Sequence, residues 1–501
     1  MTDAALLDLA AERLGGAVLA ANDEFFAEKE NLLREAEPVF VPDRYTDRGK
    51  WMDGWETRRR RTPGHDWAIL RLGLPGVLRR VIVDTSHFKG NYPESCSLDA
   101  LAAPDDADPA WLVSDAASWI EVLPRSLLQG DFRNQLEVAS HWRWTHLRLN
   151  IYPDGGVARL RALGEVIADW RGAEGAVDLA AVERGGRVVD VSDRFFGTPD
   201  RLLLPGAPRG MHDGWETRRR RGPGNDWVVV RLGAEGQVEG VEVDTSFFKG
   251  NAPGSCALSG CASPDEVPSE EAAWRELLPE TPLSPDTRHR FADEIRRGGP
   301  TTHVRLEIFP DGGVARLRVF GAPTSEGRLA AALRWLSSLP PEEAESSFLT
   351  CCGSREWARR MAAARPFADH EALLHAADEV WAGLSPAEWR EALDSHPRLG
   401  ERPSGDATES RWAAAEQSGA AGAGRDTLAR LAEANRRYAE RFGWTFVVCA
   451  AGRSAEEMLA AYEGRGGNDP QTELGVAAEE QRKITRLRLA KLLGMEGERS
   501  A

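Results

Sequence analysis

The chain has 501 residues, room for about three domains at roughly 100–200 residues each. Hydrophobic residues make up 42% and charged residues 28%, the balance of a soluble globular chain rather than a disordered one. Asp plus Glu is 79 against 63 Lys plus Arg, and the formal net charge of −16 argues against broad nucleic-acid or anionic-membrane binding. No run reaches the roughly 18–20 apolar residues of a membrane span. The N-terminus lacks a basic region and a signal-peptide core. Six cysteines do not make a disulfide framework, so a cytoplasmic, reduced protein is expected.

One element occurs twice. Residues 53–98 begin DGWETRRRRTPGHDWAILRLG and end VDTSHFKGNYPESCSL; residues 213–258 begin DGWETRRRRGPGNDWVVVRLG and end VDTSFFKGNAPGSCAL. About 30 of these 46 positions are identical, and the likeness runs outward to DEFF and DRFF and to the two THxRL…PDGGVARLR segments. The unit of about 160 residues is a duplicated domain, with boundaries expected at 1–166 and 167–325. Alternating runs such as THLRLNIY and VARLRAL, separated by PDGG, read as strands joined by a hairpin turn. Short branched runs bounded by Gly and Pro point to a β-sandwich or jelly roll. WRELLP near Trp274 is the one segment here read as helical.

From residue 326 to 501 the texture changes to Ala, Leu, Glu and Arg with helical periodicity, as in EGRLAAALRWLSSLP and RDTLARLAEANRRYAERFG. Ser385, Pro386 and Glu388 have the spacing of an N-cap, N1 and N3. TELGVAAEEQRKITRLRLAKLL reads as a long amphipathic helix. The third domain is expected to be an all-α bundle.

The repeated block offers arginines, Asp and Asn together. Arginine forks bind carboxylates, and Asp or Asn oxygens accept the N–H groups of a urea or amide. The set suits a small polar ligand with one carboxylate and several amide groups. Alternation along a strand lets at most two of each four arginines face one site. Arg58, Arg60, Arg218 and Arg220, with Asp66, Asp84 and Asn91, are the binding candidates, surface ion pairs and turns being the plainer reading. The copies also differ. His65 becomes Asn225, His87 becomes Phe247 and Glu94 becomes Gly254, so His65 and His87 are candidate proton-transfer groups supplied by the first repeat. Satisfied structural histidines are the alternative, and His146 and His303, shared by both repeats, are read as structural. His65, Asp66, Asp84 and His87 have mixed nitrogen and oxygen donors but no short ligand motif, and no metal is assigned.

DGWETRRRR, GHDWAILRLG and VDTSHFKGNYPESCSL resemble the allantoicase family over roughly residues 1–325. The resemblance implies tandem β-sandwich (jelly-roll, galactose-binding-like) domains and hydrolysis of allantoate to ureidoglycolate and urea. In the third domain, DSHPRLGERPSGDATESRWAAAEQSG, ANRRYAERFGWTFVVCAAGRS and KITRLRL resemble the 2-oxo-4-hydroxy-4-carboxy-5-ureidoimidazoline decarboxylase family over about residues 328–495. That implies a cofactor-free helical enzyme forming S-allantoin. The family's catalytic His and Glu map to His396 and Glu416, and their neighbours Pro397 and Gln417 are substrate-binding candidates. A substrate-binding arginine maps to Arg488, with Arg486 the second choice, and Arg453 is placed to close on the substrate or to lie in solvent. Ala413 stands where the family often has Ser, leaving Ser410 as an alternative hydroxyl. The two resemblances together imply a bifunctional purine-catabolic enzyme whose steps are separated by an allantoinase. The alternative is that one half alone is active, the β half being a ureide-binding module. The expected partners are small-molecule ureides, with a homo-oligomer left open and no cofactor.

Overall fold

The structure is a computed structural model, and it describes residues 6–396, 412, 425–450 and 453–495. The chain forms two compact units, residues 1–331 and 332–501. The first contains both repeats, each an eight-stranded antiparallel assembly.

Each repeat is organised by one 19-residue strand, Asp66–Asp84 in the first and Asp226–Asp244 in the second. The first half of Asp66–Asp84 pairs with Ala17–Ala21 and Arg143–Tyr152; its second half pairs with Arg159–Val166 and Arg133–Glu137. One strand thus belongs to both layers of a sandwich, as expected for a jelly roll. The switch between layers occurs at Gly73–Gly76. A Cβ on Gly76 would lie 2.2 Å from the Glu165 carbonyl oxygen, and one on Gly73 2.7 Å from that of Leu14, so neither position admits a larger residue without backbone movement. The alternating residues Leu70, Leu72, Leu147, Leu149 and Leu160 fill the space between layers with Trp55 and Trp144.

Two local expectations fail. PDGG at Pro153–Gly156 is a crossover and not a hairpin: the strands on either side pair with opposite halves of Asp66–Asp84 and not with each other. The cause is packing. Gly155 has a φ of 143°, and Gly156 lies so close to Phe88 that a Cβ would sit 2.0 Å from its ring. The turn is thereby pressed onto the 88–93 loop, and the Gly156 N–H donates to the Asn91 carbonyl at 2.8 Å. The segment read as a helix near Trp274 is the strand Arg275–Pro282, paired with Ser255–Cys261. A free edge of the sheet overrides its weak helical preference. One short helix, Pro109–Val113, was not foreseen; Asp108 caps it and Pro109 opens it.

The repeats touch through charged groups. Arg13 of the first makes a two-pronged ion pair with Asp213 of the second, at 2.6 and 3.2 Å. Asp213 also accepts from Arg316 at 2.7 Å and from the Arg209 N–H at 3.0 Å. Burial alone would raise the Asp213 carboxyl, but these bonds outweigh it and hold the group well below the usual carboxylate range. A cavity of about 640 Å³ lies beside this contact, lined by both repeats.

The second unit is helical. Its described helices include Pro341–Cys352, Arg355–Ala363, His370–Ala382, Pro386–Asp394, Arg425–Phe442, Ala455–Arg465 and Pro470–Leu492. Ser385 and Glu388 form the capping box their spacing predicts, each side chain bonding the other's backbone N–H. The last helix buries Leu474, Ala477, Ala478, Ile484 and Leu489, but it also buries Glu473, Glu480, Gln481, Thr485 and Arg488. Five buried hydrogen-bonding side chains each require a partner. Glu473 finds three: the Tyr438 hydroxyl at 2.5 Å, Arg465 at 2.8 Å and Asn468 at 2.7 Å. The ANRRY motif therefore locks the bundle, with Asn435 bonding the Leu431 carbonyl inside its own helix.

Candidate active sites

In the first repeat, a pocket of about 410 Å³ opens where the loop after Asp84 meets the short strand Trp55–Glu56. Its polar lining comprises Glu56, His87, Asn91, Lys50 and Lys89, and Phe26, Phe40 and Met52 supply apolar walls. Asn91 donates to the Glu56 carboxylate at 2.7 Å. Burial nevertheless pushes the Glu56 carboxyl above its ordinary value, the Asn91 bond opposing only part of that. A carboxyl raised in this way holds a proton more readily than a free one and is suited to acid–base work.

His87 adopts a φ of 72°, an uncommon conformation for a residue with a side chain, and Phe247 shares it in the second repeat. The same anchor fixes both: Asp131 accepts from the His87 N–H and Asp286 from the Phe247 N–H, each at 2.7 Å. The backbone here is set by the fold, which leaves the side chain free to be chosen by the pocket. His87 Nε2 lies 3.1 Å from the Pro38 carbonyl, which only accepts, so Nε2 carries the hydrogen and Nδ1 is the basic nitrogen.

The second repeat keeps the equivalent pair, Asn251 donating to Glu216 at 2.6 Å. It lacks the extra ten residues that separate Leu33 from Asp53 relative to Leu203 and Asp213. Those residues bring Phe40, Lys50 and Met52 to the first pocket. Sequence reasoning passed over Glu56 and Lys50. The signals were present: Glu56 sits in the repeated DGWET block, and Lys50 in the segment by which the copies differ in length.

Of the residues singled out in this half, the structure brings His87 and Asn91 into the pocket. Arg58 pairs with Asp23 at 2.9 Å and Arg60 with Asp66 at 2.5 Å; Arg218 and Arg220 repeat this with Asp193 and Asp226. These pairs tie the arginine segment to the sheet. His65 packs against Tyr152 with ring centroids 4.8 Å apart. Asp84 accepts from the Ser86 N–H at 2.8 Å and lies 3.9 Å from Arg133. Among the described residues no group of three His, Cys, Asp or Glu is placed to hold a metal ion. His146 and His303 are fully buried, each with Nδ1 against the preceding threonine. Burial pushes His303 down to about 4, so it stays uncharged at neutral pH.

In the helical unit, His396 follows the Pro386–Asp394 helix and its Nε2 lies 2.5 Å from Gln481 Oε1. Arg488 is buried on the same stripe of the last helix, seven residues on from Gln481. Arg486 points elsewhere and pairs with Asp378 at 2.8 Å. Arg453 lies 3.8 Å from Glu480, the neighbour of Gln481. Pro397, Ser410, Ala413, Glu416 and Gln417 lie outside the described residues.

A family model described as the allantoicase repeat matches residues 7–167 and again 177–324. The chain belongs to the allantoicase family. A second model, described as OHCU decarboxylase, matches residues 337–490. The β half is 47% identical over 321 residues to a probable allantoicase of Burkholderia mallei, spanning 63% of this chain and 94% of that protein. It is 46% identical over 319 residues to the allantoicase of Dictyostelium discoideum, spanning 62% and 86%. The crystal structure of the Saccharomyces cerevisiae allantoicase superposes with a TM-score of 0.53 at 35% identity, covering 63% of this chain and 93% of that one. Among the described residues no helix is long and apolar enough to cross a membrane.

Proposed function

We propose that this member of the allantoicase family is a bifunctional ureide-catabolic enzyme. Its β half releases urea from allantoate, and its helical domain decarboxylates 2-oxo-4-hydroxy-4-carboxy-5-ureidoimidazoline to S-allantoin. The observation that carries the reading is the presence in one chain of two allantoicase repeats and an OHCU decarboxylase domain. No disulfide joins the cysteines of the described residues, which fits a reduced, cytoplasmic setting.

Urea release from allantoate breaks a C–N bond at a saturated carbon that carries a second ureido group. The leaving nitrogen needs a proton, and the remaining ureido nitrogen's lone pair forms a C=N bond as the first departs. Water then adds to that carbon and gives up a proton. One carboxyl can serve both steps, first as acid and then as base. Glu56, raised by burial and oriented by Asn91, has that character. His87 Nδ1 is the second proton acceptor in the pocket, and Lys50 and Lys89 supply positive charge for the substrate carboxylate.

In the helical domain, loss of CO2 leaves a carbanion that the substrate's own conjugated ring absorbs. The protein's task is to orient the carboxylate, stabilise developing charge and protonate one face. His396, with Glu416, is the proposed proton-transfer group, and Arg488 anchors a carbonyl or ureido oxygen. The test of the β half is urea release from allantoate by the full chain and by Glu56→Gln. A fall of about 100-fold or more in kcat supports the assignment, and turnover within twofold of the parent removes Glu56 from the chemistry.

A further inference from the structure

Gln481 lies on the Pro470–Leu492 helix with no exposed surface. Its amide faces three groups. Nε2 is 3.4 Å from the Cys352 carbonyl oxygen and 3.2 Å from Thr485 Oγ1, while Oε1 is 2.5 Å from His396 Nε2. The two ends of an amide look alike in shape, so its orientation must be argued from its neighbours. Here they decide it. A backbone carbonyl only accepts, so the end of Gln481 that faces Cys352 has to be the NH2 group. That turns Oε1 toward His396. An amide oxygen also only accepts, so His396 Nε2 has to carry a hydrogen. A neutral imidazole has one ring hydrogen, and its basic nitrogen is then Nδ1.

We infer that Gln481 is a positioning residue that holds His396 as the Nε2–H tautomer, so that Nδ1 is the atom that gains and loses the proton in the decarboxylation cycle. The inference rests on the proposed decarboxylase reading of this domain. The geometry adds why the last helix carries a polar stripe at all. Gln481, Thr485 and Arg488 follow at four and seven residues, the spacing of one helical face. Thr485 braces the amide from one turn along, and the C-terminal end of the Pro341–Cys352 helix supplies the carbonyl that sets its direction. One face of one helix thus fixes the tautomer of the proposed proton donor and presents Arg488, the proposed substrate anchor. Glutamine suits this task because it has a donor and an acceptor at fixed separation and no charge. A carboxylate in its place would meet the Cys352 carbonyl oxygen with a second oxygen.

The test uses the full chain labelled with 15N at histidine ring nitrogens, the His396 signals being assigned by their loss in His396→Ala. The wild-type ring is expected to show a protonated Nε2 and an unprotonated Nδ1 in its neutral form. In Gln481→Met, which keeps side-chain length but removes the acceptor, the two tautomers are expected to mix. Decarboxylation kcat is expected to fall roughly tenfold or more with KM within about twofold, as for a misset histidine tautomer. A helical melting transition by circular dichroism matching that of the parent reports that the helical unit is folded, and Gln481→Glu, which retains an acceptor toward His396, should keep more of the Nε2–H signature than the Met variant. A wild-type ring protonated at Nδ1 overturns the inference without recourse to any variant. So does a Gln481→Met ring with the wild-type tautomer. A wild-type chain with the expected tautomer but no decarboxylation supports the tautomer assignment and overturns the enzymatic reading instead.

Discussion

The Arg13–Asp213 contact can be weighed against a counterpart in the same molecule. Asp213 is almost wholly buried and is held by Arg13 at 2.6 Å, Arg316 at 2.7 Å and the Arg209 N–H at 3.0 Å. Its equivalent, Asp53, is held by Arg159 at 2.9 Å and the Val39 N–H at 3.0 Å, and its third cation, Arg34, is half exposed at 3.6 Å. Removing one partner from a buried pair costs about 3–5 kcal/mol. Because Asp213 keeps Arg316, Arg13→Met should cost less than that, about 2–3 kcal/mol. Arg34→Met removes a solvent-screened partner and should cost at most about 1 kcal/mol. In a unit of this size each kcal/mol moves the melting temperature by about 2 °C, so calorimetry should show losses of about 4–6 °C and at most about 2 °C respectively. The pH dependence has a definite sign. The folded Asp213 carboxyl is depressed, so its stabilisation is present above the unfolded carboxylate pKa and is lost as pH falls through the folded value. The gap between Arg13→Met and the parent should therefore persist at neutral pH and close only in strong acid. Equal shifts for the two variants would refute the claim that this inter-repeat ion pair stabilises the β unit.

Other outcomes follow from the same geometry. Glu473→Leu strands the buried Arg465 and should destabilise the helical unit by about 3–5 kcal/mol, whereas Glu473→Gln keeps an acceptor and should cost about 1.5–3 kcal/mol; indistinguishable helical melting of the two by circular dichroism would contradict this. His303 is held near 4 against about 6.5 when unfolded, so the unfolded chain binds the extra proton and stability is lost as pH falls between those values. His303→Gln should lose less stability than the parent between pH 7 and 4.5, and parallel melting-temperature curves would count against it. Asn91→Ala should lower allantoate kcat/KM by roughly 10–100-fold through Glu56, while Asn251→Ala in the second repeat should change it less than about twofold. A urea assay in which both variants fall together would remove the functional distinction between the repeats.

The duplicated sandwich, the helical third domain and the Ser385 capping box were legible because each rests on local pattern: an internal repeat, a change of period, a cap spacing. PDGG misled for a nonlocal reason. The turn chemistry is that of a hairpin, but its direction is set by Phe88 and the 88–93 loop, distant in sequence. The arginine runs stood out by composition, yet their partners Asp23, Asp66, Asp193 and Asp226 are brought to them only by the fold. Glu56 was marked only by its place in the repeated DGWET block; that it lines a pocket depends on the longer loop that brings Phe40, Lys50 and Met52 beside it. Gln481 sits in a run that reads simply as amphipathic helix, and its contacts with the Cys352 carbonyl and with His396 join segments distant in sequence.

The central claim is that one chain carries two separate chemistries. The most direct measurement gives the purified full chain allantoate in one vessel and freshly generated ureidoimidazoline in another, following urea in the first and the circular dichroism of S-allantoin in the second. The same is done with Glu56→Gln and His396→Ala. The account predicts that the parent performs both reactions, that Glu56→Gln loses urea release alone, and that His396→Ala loses stereospecific allantoin formation alone. A parent that performs one reaction only, or a variant that loses both while still folded, would contradict it.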